Sequence, residues 1–312
     1  MQTETSKIER MLAHPAFDHV VHQLASGFLE VQQAAPRLAS QFSTQQRWLL
    51  SHAALSRYFR GLPAGRPGLS RREFVEDALA HRLASRNTAQ AFFAESLKYG
   101  IVLPTKAAAS SASLLAAPAP AVLWALSEWY LAHLAALDAL DDGDRAARLQ
   151  ASGSEIMPRL QPAVSDGLLA SEVIRAPVPD YAVFASVDEG GTLMDRLIAG
   201  LDIASARGEE RAVTNVTSVS ALARSLNLSR THAGRTLAAA IALGSLGWTG
   251  AAGRSPLWLS RNFRIGYAYM QAAKLAIIGG AFDKAVGLAE SDTLPSALVC
   301  DGSSAEQNRL PC

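Results

Sequence analysis

The chain contains an internal repeat, and a repeat of this kind indicates that one folded unit forms twice. Residues 85–102 align with residues 229–246 without a gap, and five of the eighteen aligned positions are identical. The identical pairs are Ser85 and Ser229, Arg86 and Arg230, Ala89 and Ala233, Ala94 and Ala238, and Gly100 and Gly244. Five identities alone are weak evidence for a repeat. They are supported by the sequence on either side of the two windows, which predicts the same order of elements in both copies.

The same order of predicted elements surrounds both windows. An amphipathic helix comes first, then a turn-rich connector, the aligned window, a short β-prone stretch, a loop of small residues and a long apolar helix. The first helix, the connector and the long helix are predicted at 45–59, 61–70 and 121–140 in copy one, and at 192–206, 207–215 and 264–288 in copy two.

The repeat predicts two homologous domains with further segments around them. The segment between the copies is rich in Pro, Gly and Ser, and we interpret it as a linker or a lightly structured connection. The predicted organisation is an N-terminal helical extension, a first domain, a linker, a second domain and a polar C-terminal tail, at residues 1–40, 41–150, 151–185, 186–292 and 293–312.

The composition favours helices packed around sizeable apolar cores. The sequence holds 58 Ala among 312 residues, and 49% of its residues are hydrophobic. Its two most apolar runs, 121–140 and 265–281, are interrupted by Glu128, His133 and Asp138 in the first and by Lys274 in the second. We therefore interpret these runs as buried helices and predict no association with a membrane.

The charge is neutral overall but uneven along the chain. The formal net charge is +1. Residues 60–106 hold eight basic and four acidic residues, residues 204–264 hold eight and two, and residues 134–202 hold five and twelve. Both copies are therefore basic and the segment between them is acidic, which is a pattern common in proteins that bind nucleic acid.

The second copy predicts a helix-turn-helix. A short helix over residues 218–226 is followed by a tight turn at 227–229 and a second helix over 230–244. Ser229 is placed to cap this second helix. On a helical wheel, Thr231 and Arg235 lie opposite an apolar face that comprises Ala233, Leu237, Ala240, Ile241 and Gly244.

A β-hairpin is predicted after the helix-turn-helix, with strands at 246–249 and 256–259 and with Arg254 in its tip. This combination resembles the winged-helix DNA-binding fold, with the order of elements found in MarR-like bacterial transcription regulators. The resemblance covers residues 190–290 well and, through the repeat, residues 45–140 less well. It implies a mainly α fold with small β-wings and two tandem winged-helix domains, whose second helices enter the major groove.

The resemblance implies specific DNA contacts in the second copy. Arg235 has the fork that binds guanine O6 and N7, and Thr231 suits a phosphate or a thymine methyl group. Arg230 and Arg254 suit phosphate or minor-groove contacts. The predicted DNA-binding residues of this copy are Ser229, Arg230, Thr231, His232, Arg235 and Arg254.

The first copy carries a weaker set of candidate DNA contacts. Its predicted DNA-binding residues are Arg86, Asn87, Thr88, Gln90 and Lys106. Asn and Gln are residue types that bind the edge of adenine. However, Ala91 stands where the second copy has Arg235, and Lys106 is the only charged residue of the first predicted wing. We expect this copy to bind DNA more weakly or to have lost that role.

No catalytic or cofactor-binding motif is found, so we predict neither an enzyme nor a cofactor. His19 and His22 share a helix face, but no further ligand lies near them in sequence, and we assign them no metal. Cys300 and Cys312 lie in the polar tail and indicate no disulfide framework. With no apolar leader at the first residues, a cytoplasmic protein is expected.

The long helices after each wing carry aromatic residues, which suggest two further partners. Such helices border effector pockets or form dimer interfaces in winged-helix regulators. A small aromatic effector and a homodimer through these helices are therefore hypotheses, although plain core packing explains the same spacing. The residues concerned are Trp124, Trp129, Tyr130, Tyr267, Tyr269 and Met270.

The sequence as a whole favours a double-stranded DNA-binding transcription regulator. Two other functions stay open. One is a winged-helix protein-interaction module of the type found in chromosome-condensation accessory proteins, and the other is a plasmid replication initiator. The arginines of the second copy favour DNA, whereas the neutral total charge and the weak first copy favour a protein partner.

Overall fold

A computed structural model describes residues 2–34, 42–66, 68–105 and 115–293. Its first helices are α1 (Gln2–Leu12), α2 (Phe17–Ala34), α3 (Gln45–Gly61), α4 (Arg71–Ala80), α5 (Arg86–Lys98), α6 (Pro120–Asp141) and α7 (Arg145–Ser152). The later ones are α8 (Met157–Ala170), α9 (Glu172–Arg175), α10 (Pro179–Ala185), α11 (Gly190–Ala199), α12 (Ile203–Ala206), α13 (Val219–Ser225), α14 (Arg230–Ala242) and α15 (Arg261–Thr293). A 3₁₀ turn, Leu62–Ala64, follows α3.

Two three-stranded antiparallel sheets accompany these helices. The strands are β1 (Leu69–Ser70), β2 (Val102–Pro104), β3 (Leu115–Pro118), β4 (Arg211–Val213), β5 (Leu246–Trp248) and β6 (Leu257–Ser260), and the sheet orders are β1-β3-β2 and β4-β6-β5. The mainly helical class with small sheets is confirmed. The predicted hairpin of the second copy is also confirmed, with Leu246 opposite Leu259.

The two sheets differ from the sequence prediction in their third strands. The connectors at 61–70 and 207–215 contribute β1 and β4, which pair with β3 and β6. Strands of two or three residues are too short to show an alternating apolar pattern, and the sequence therefore predicted turns there. The helix predicted over 192–206 is likewise interrupted: α11 ends at Ala199, and α12 begins at Ile203.

Three of the five identical pairs of the repeat have the same structural role in both copies. Ser85 and Ser229 are the N-caps of α5 and α14, and each hydroxyl accepts a hydrogen bond from a backbone N–H three residues later. Ala89 and Ala233 lie in the first turns of these helices and are fully buried. Gly100 and Gly244 follow the helix ends with φ of +68° and +73°, a left-handed conformation that glycine adopts readily.

The segment predicted as a linker is helical and contributes to the core. In α8, Leu160, Val164 and Leu168 are fully buried. This helix packs against α3 of the first copy and α15 of the second. Pro158 lies in the first turn of α8 and Pro179 in that of α10, where a missing N–H costs no helical hydrogen bond. These prolines therefore begin helices and do not mark a loop.

A single apolar cluster spans both copies of the repeat. Helix α2 of the N-terminal extension packs against α6 and α11, and α15 packs against α1, α6 and α8. The predicted dimer helix α15 thus uses most of its apolar surface within the chain, and the homodimer stays a prediction.

None of the helices in the described ranges is long and apolar enough to cross a bilayer.

Candidate functional site

The second helix of the helix-turn-helix, α14, exposes the residues predicted to meet DNA. Arg230, Thr231 and Arg235 are exposed on one side. The opposite side buries Ala233, Leu237 and Ala240. The predicted apolar face is wrong at its C-terminal end, because the side chain of Ile241 is 37% exposed and Gly244 lies beyond the helix. Residues 241–244, which follow Ala240, the last buried residue of the helix, are all exposed.

Three of the predicted DNA-binding arginines have no side-chain partner within the part of the chain that the structure describes. The guanidinium groups of Arg230, Arg235 and Arg254 make no hydrogen bond or ion pair there, and all three residues are exposed. Other arginines differ: Arg57 donates two hydrogen bonds to Asp77 at 2.7 and 2.6 Å, and Arg145 bonds both Asp138 and Asp141. The three arginines therefore keep their hydrogen-bonding capacity for an external anion.

Arg254 lies in a hairpin tip that is closed by its own hydrogen bonds. The hydroxyl of Thr249 donates to the carbonyl of Pro256 at 3.1 Å, and the N–H of Gly250 donates to the hydroxyl of Ser255 at 3.0 Å. Arg211, on the neighbouring strand β4, lies over the ring of Trp258 at 4.4 Å. The tip thus presents Arg254 on a short, internally bonded loop.

Two of the predicted DNA-binding residues are engaged inside the chain. The hydroxyl of Ser229 accepts from the N–H of His232 at 3.1 Å, which is the predicted cap. The ring of His232 is joined through Nε2 to the carbonyl of Asp188, 2.6 Å away, in the connection between α10 and α11. His232 therefore ties α14 to α11 and has little freedom to reach a base.

The first copy presents an exposed but less charged surface. Arg86, Asn87 and Gln90 are exposed on α5, and Thr88 shares a hydrogen bond with Ser85 at 2.9 Å. The equivalent of Arg235 is Ala91, which is also exposed. Lys106 and most of its predicted wing, residues 106–113, lie outside the described residues, as does most of the predicted tail from residue 294 onward.

A cavity of about 680 Å³ lies where the two copies meet, and of the residues named in the effector hypothesis Trp129 and Met270 line it. It is formed by α2, α3 and α6 on one side and by α11 and α15 on the other. Its walls are mostly apolar and aromatic, which is usual for small-molecule sites. The residues that characterise it are Phe28, Trp48, His52, Trp129, Tyr181, Met194, Asp195, Met270, Gln271 and Lys274.

Lys274 and Asp195 are the charged groups in the interior of this cavity. Burial lowers the pKa of Lys274 to about 8, and the charge of Asp195 offsets part of that effect. Burial raises the pKa of Asp195 to about 6, against a hydrogen bond from the hydroxyl of Tyr267 at 2.5 Å and the charge of Lys274. The sequence contains one indication of this charge, because Lys274 interrupts an apolar run.

Buried polar groups also hold α3, α6 and α8 together beside the cavity. Gln161 accepts from the hydroxyl of Tyr130 at 2.5 Å, and its amide lies 3.2 Å from Nδ1 of His52. His133, fully buried, is joined through Nδ1 to the carbonyl of Trp129 at 2.7 Å. Burial lowers the pKa of both histidines from 6.5 to about 3.

These two histidines make the free energy of unfolding depend on pH. Each is neutral when folded but gains a proton below pH 6.5 when unfolded. The free energy of unfolding therefore keeps its highest value above pH 6.5. Between pH 6.5 and pH 3 it falls by about 1.4 kcal/mol per pH unit for each histidine. The contribution of Asp195 has the opposite sign, because folding raises the pKa of this carboxyl group. Between pH 6 and 3.8 it therefore offsets the loss of stability caused by one histidine.

We expect His133→Phe to make this slope shallower by about 1.4 kcal/mol per pH unit. The measurement is urea unfolding followed by circular dichroism at intervals from pH 7.5 to 4.5. The control is His19→Phe, which removes an exposed histidine and should keep the wild-type slope. An unchanged slope in His133→Phe would show that His133 takes up a proton in the folded protein.

No group of three or more His, Cys, Asp or Glu side chains that could hold a metal ion occurs in residues 2–34, 42–66, 68–105 and 115–293. His22, one of the N-terminal histidines, is joined through Nε2 to the carbonyl of Ala199 at 3.2 Å, and so has a role in packing.

No protein-family model, curated protein or solved structure matches the chain. Its candidate sites are therefore defined by geometry and charge alone.

Proposed function

We propose that the chain binds double-stranded DNA as a transcription regulator, through two tandem winged-helix units of which the second makes the main contacts. The order of elements supports this proposal. In each copy a strand, two helices and a hairpin follow one another, and the hairpin strand that comes last in sequence lies at the centre of the sheet. The two helices followed by the hairpin are the order implied by the winged-helix resemblance, and the strand before them pairs with the hairpin in both copies.

The observation that carries the proposal is the set of unpartnered arginines. Arg230 and Arg235 project from the helix that would enter the major groove, and Arg254 projects from the wing. Phosphate oxygens and guanine edges are the acceptors that suit such side chains. With Ala91 in place of an arginine, the first unit would add a weaker contact or serve mainly as support.

Removal of two of these arginines should weaken DNA binding strongly. We expect Arg230→Ala/Arg235→Ala to lose about 30-fold or more in affinity, because each contact of this kind contributes about 1–3 kcal/mol. The dependence of affinity on salt should also become shallower, by about one unit for each lost phosphate contact. Fluorescence anisotropy with labelled genomic fragments at two salt concentrations measures both quantities.

A matched control is available in Arg10→Ala/Arg148→Ala. It removes the same charge from two exposed arginines on α1 and α7, outside the two helix-turn-helix segments. This variant should retain binding within about threefold, since screening weakens distant exposed charges. Equal losses in the two double variants would refute the site, because general charge alone would then explain the affinity.

A protein-interaction module is the second candidate, and one observation favours it. Tyr99 and Leu243, at the same position of the repeat, are 59% and 52% exposed. Each copy thus exposes a large apolar side chain at the same place, and contact with another protein would remove this surface from water. Absence of DNA binding at every salt concentration would favour this function over DNA recognition.

A further inference from the structure

The central cavity contains polar groups that the chain itself leaves unsatisfied. The amide oxygen of Gln271, a residue only 1% exposed, has no hydrogen-bond partner within the described residues. The ammonium group of Lys274, a partly exposed residue that lines the cavity, makes neither a hydrogen bond nor an ion pair in the same ranges and lies over the face of Phe28, 5.8 Å from the ring centroid. A buried polar atom without a partner, such as the oxygen of Gln271, is costly and needs an explanation.

The two groups need different partners: the amide oxygen of Gln271 requires a hydrogen-bond donor, whereas the ammonium group of Lys274 requires an acceptor or an anion. Asp195 does not pair directly with Lys274, and its carboxylate accepts from Tyr267 instead. A ligand carboxylate would give the ammonium group its missing ion pair in a site of low polarity. Three carboxylates line the cavity. Glu30 is exposed and Glu128 partly so, and water therefore screens their repulsion of an anion, whereas Asp195 disperses part of its charge through the hydrogen bond from Tyr267.

The walls indicate the remainder of the ligand. Trp48 and Trp129 lie with ring centroids 6.2 Å apart, and Phe28 and Met194 extend the apolar surface. A volume of about 680 Å³ accommodates an apolar body of ten or more carbon atoms. We propose that this cavity binds an apolar molecule with a single carboxylate, which pairs with Lys274 while its body packs between the aromatic side chains.

The cavity is connected to the DNA-reading helix by a short series of contacts. Helix α11 contributes Asp195 to the cavity wall, and Asp188 precedes this helix. The carbonyl of Asp188 binds His232 of α14, and its carboxylate accepts from the hydroxyl of Ser43, a residue at the cavity. A ligand that shifts α11 would therefore move α14, and the effect on DNA rests on the function proposed above.

Calorimetry with two matched probes tests the ligand site without DNA. The probes are 2-naphthoate and the neutral 2-naphthalenemethanol. We expect the wild-type protein to bind the carboxylate about 10- to 100-fold more tightly, because hydrogen bonds to charged groups contribute about 1.5–3 kcal/mol. In Lys274→Met the two affinities should become equal within about threefold, with binding of the alcohol retained, which shows that the cavity is intact.

Lys284→Met is the matched control, because Lys284 is exposed on the same helix. It should keep the wild-type preference for the carboxylate. Equal binding of both probes by the wild-type protein would overturn the proposal, as would a preference that survives in Lys274→Met. Tighter binding of 2-naphthylmethylamine than of the carboxylate would also overturn it and would identify an organic cation as the ligand.

Anisotropy with saturating 2-naphthoate tests the connection to DNA. We expect the affinity for DNA to change about fivefold or more in the wild-type protein and to stay constant in Lys274→Met. The two failures are distinguishable. A protein that binds the carboxylate but never DNA contradicts the proposed function and leaves the cavity assignment standing, whereas DNA binding without carboxylate binding contradicts the cavity assignment alone.

Discussion

Val164→Asp is expected to unfold the whole chain and not only the segment between the two copies. Val164 is fully buried in α8, which packs against α3 and α15. A carboxylate placed there has no partner, and the cost of about 4 kcal/mol or more is a large part of the stability of an ordinary domain. Urea unfolding by far-ultraviolet circular dichroism, together with limited proteolysis, measures the result.

Ala170→Asp is the matched control for this prediction. It introduces the same carboxylate on the same helix, but at an exposed position, and should cost less than about 1 kcal/mol. Independent domains joined by a linker would give another result: Val164→Asp would then leave protease-resistant fragments of residues 41–150 or 186–292. Such fragments would contradict the shared core.

The second large effect is expected at the start of α11. Gly190 lies so close to the carbonyl group of Phe184 that an added Cβ would overlap the carbonyl oxygen and approach the carbonyl carbon to 2.6 Å. The preceding residue, Glu189, already has a φ of +56°. Because a backbone group cannot move aside as a side chain can, Gly190→Ala should lower the free energy of unfolding by about 3 kcal/mol or more.

The neighbouring glycine provides the control. A Cβ at Gly191 would meet no atom within 4 Å, although this residue belongs to the same helix. Gly191→Ala should therefore stabilise the protein by up to about 1 kcal/mol through helix propensity. Thermal unfolding of the two variants side by side measures the difference, and equal stabilities would show that the connection before α11 relaxes without cost.

Local chemistry made much of the fold predictable. The serine caps at Ser85 and Ser229 and the glycines at Gly100 and Gly244 depend on backbone groups nearby in sequence, so the repeat could be recognised from few identities. The hairpin of β5 and β6 was equally evident, because two apolar, β-compatible runs flank a turn-rich tip. The exposed arginines of α14 followed from helical periodicity.

Long-range packing was not predictable in the same way. Proline is common both in loops and in the first turn of helices, and only the contacts of α8 with α3 and α15 distinguish the two cases. The aromatic residues of the long helices suggested a pocket, but the cavity is formed by helices far apart in sequence, so no local pattern showed which helices enclose it. Lys274 was visible as an interruption of an apolar run, but its relation to Asp195 required the tertiary structure.

The tryptophans give each candidate site an optical signal of its own. The sequence has five, of which Trp48 and Trp129 face the cavity and Trp248 and Trp258 belong to the hairpin that bears Arg254. The remaining one, Trp124, is half exposed to water. Replacing it and either pair by phenylalanine leaves emission from one site, so cavity occupancy and hairpin engagement can be followed separately without a chemical label.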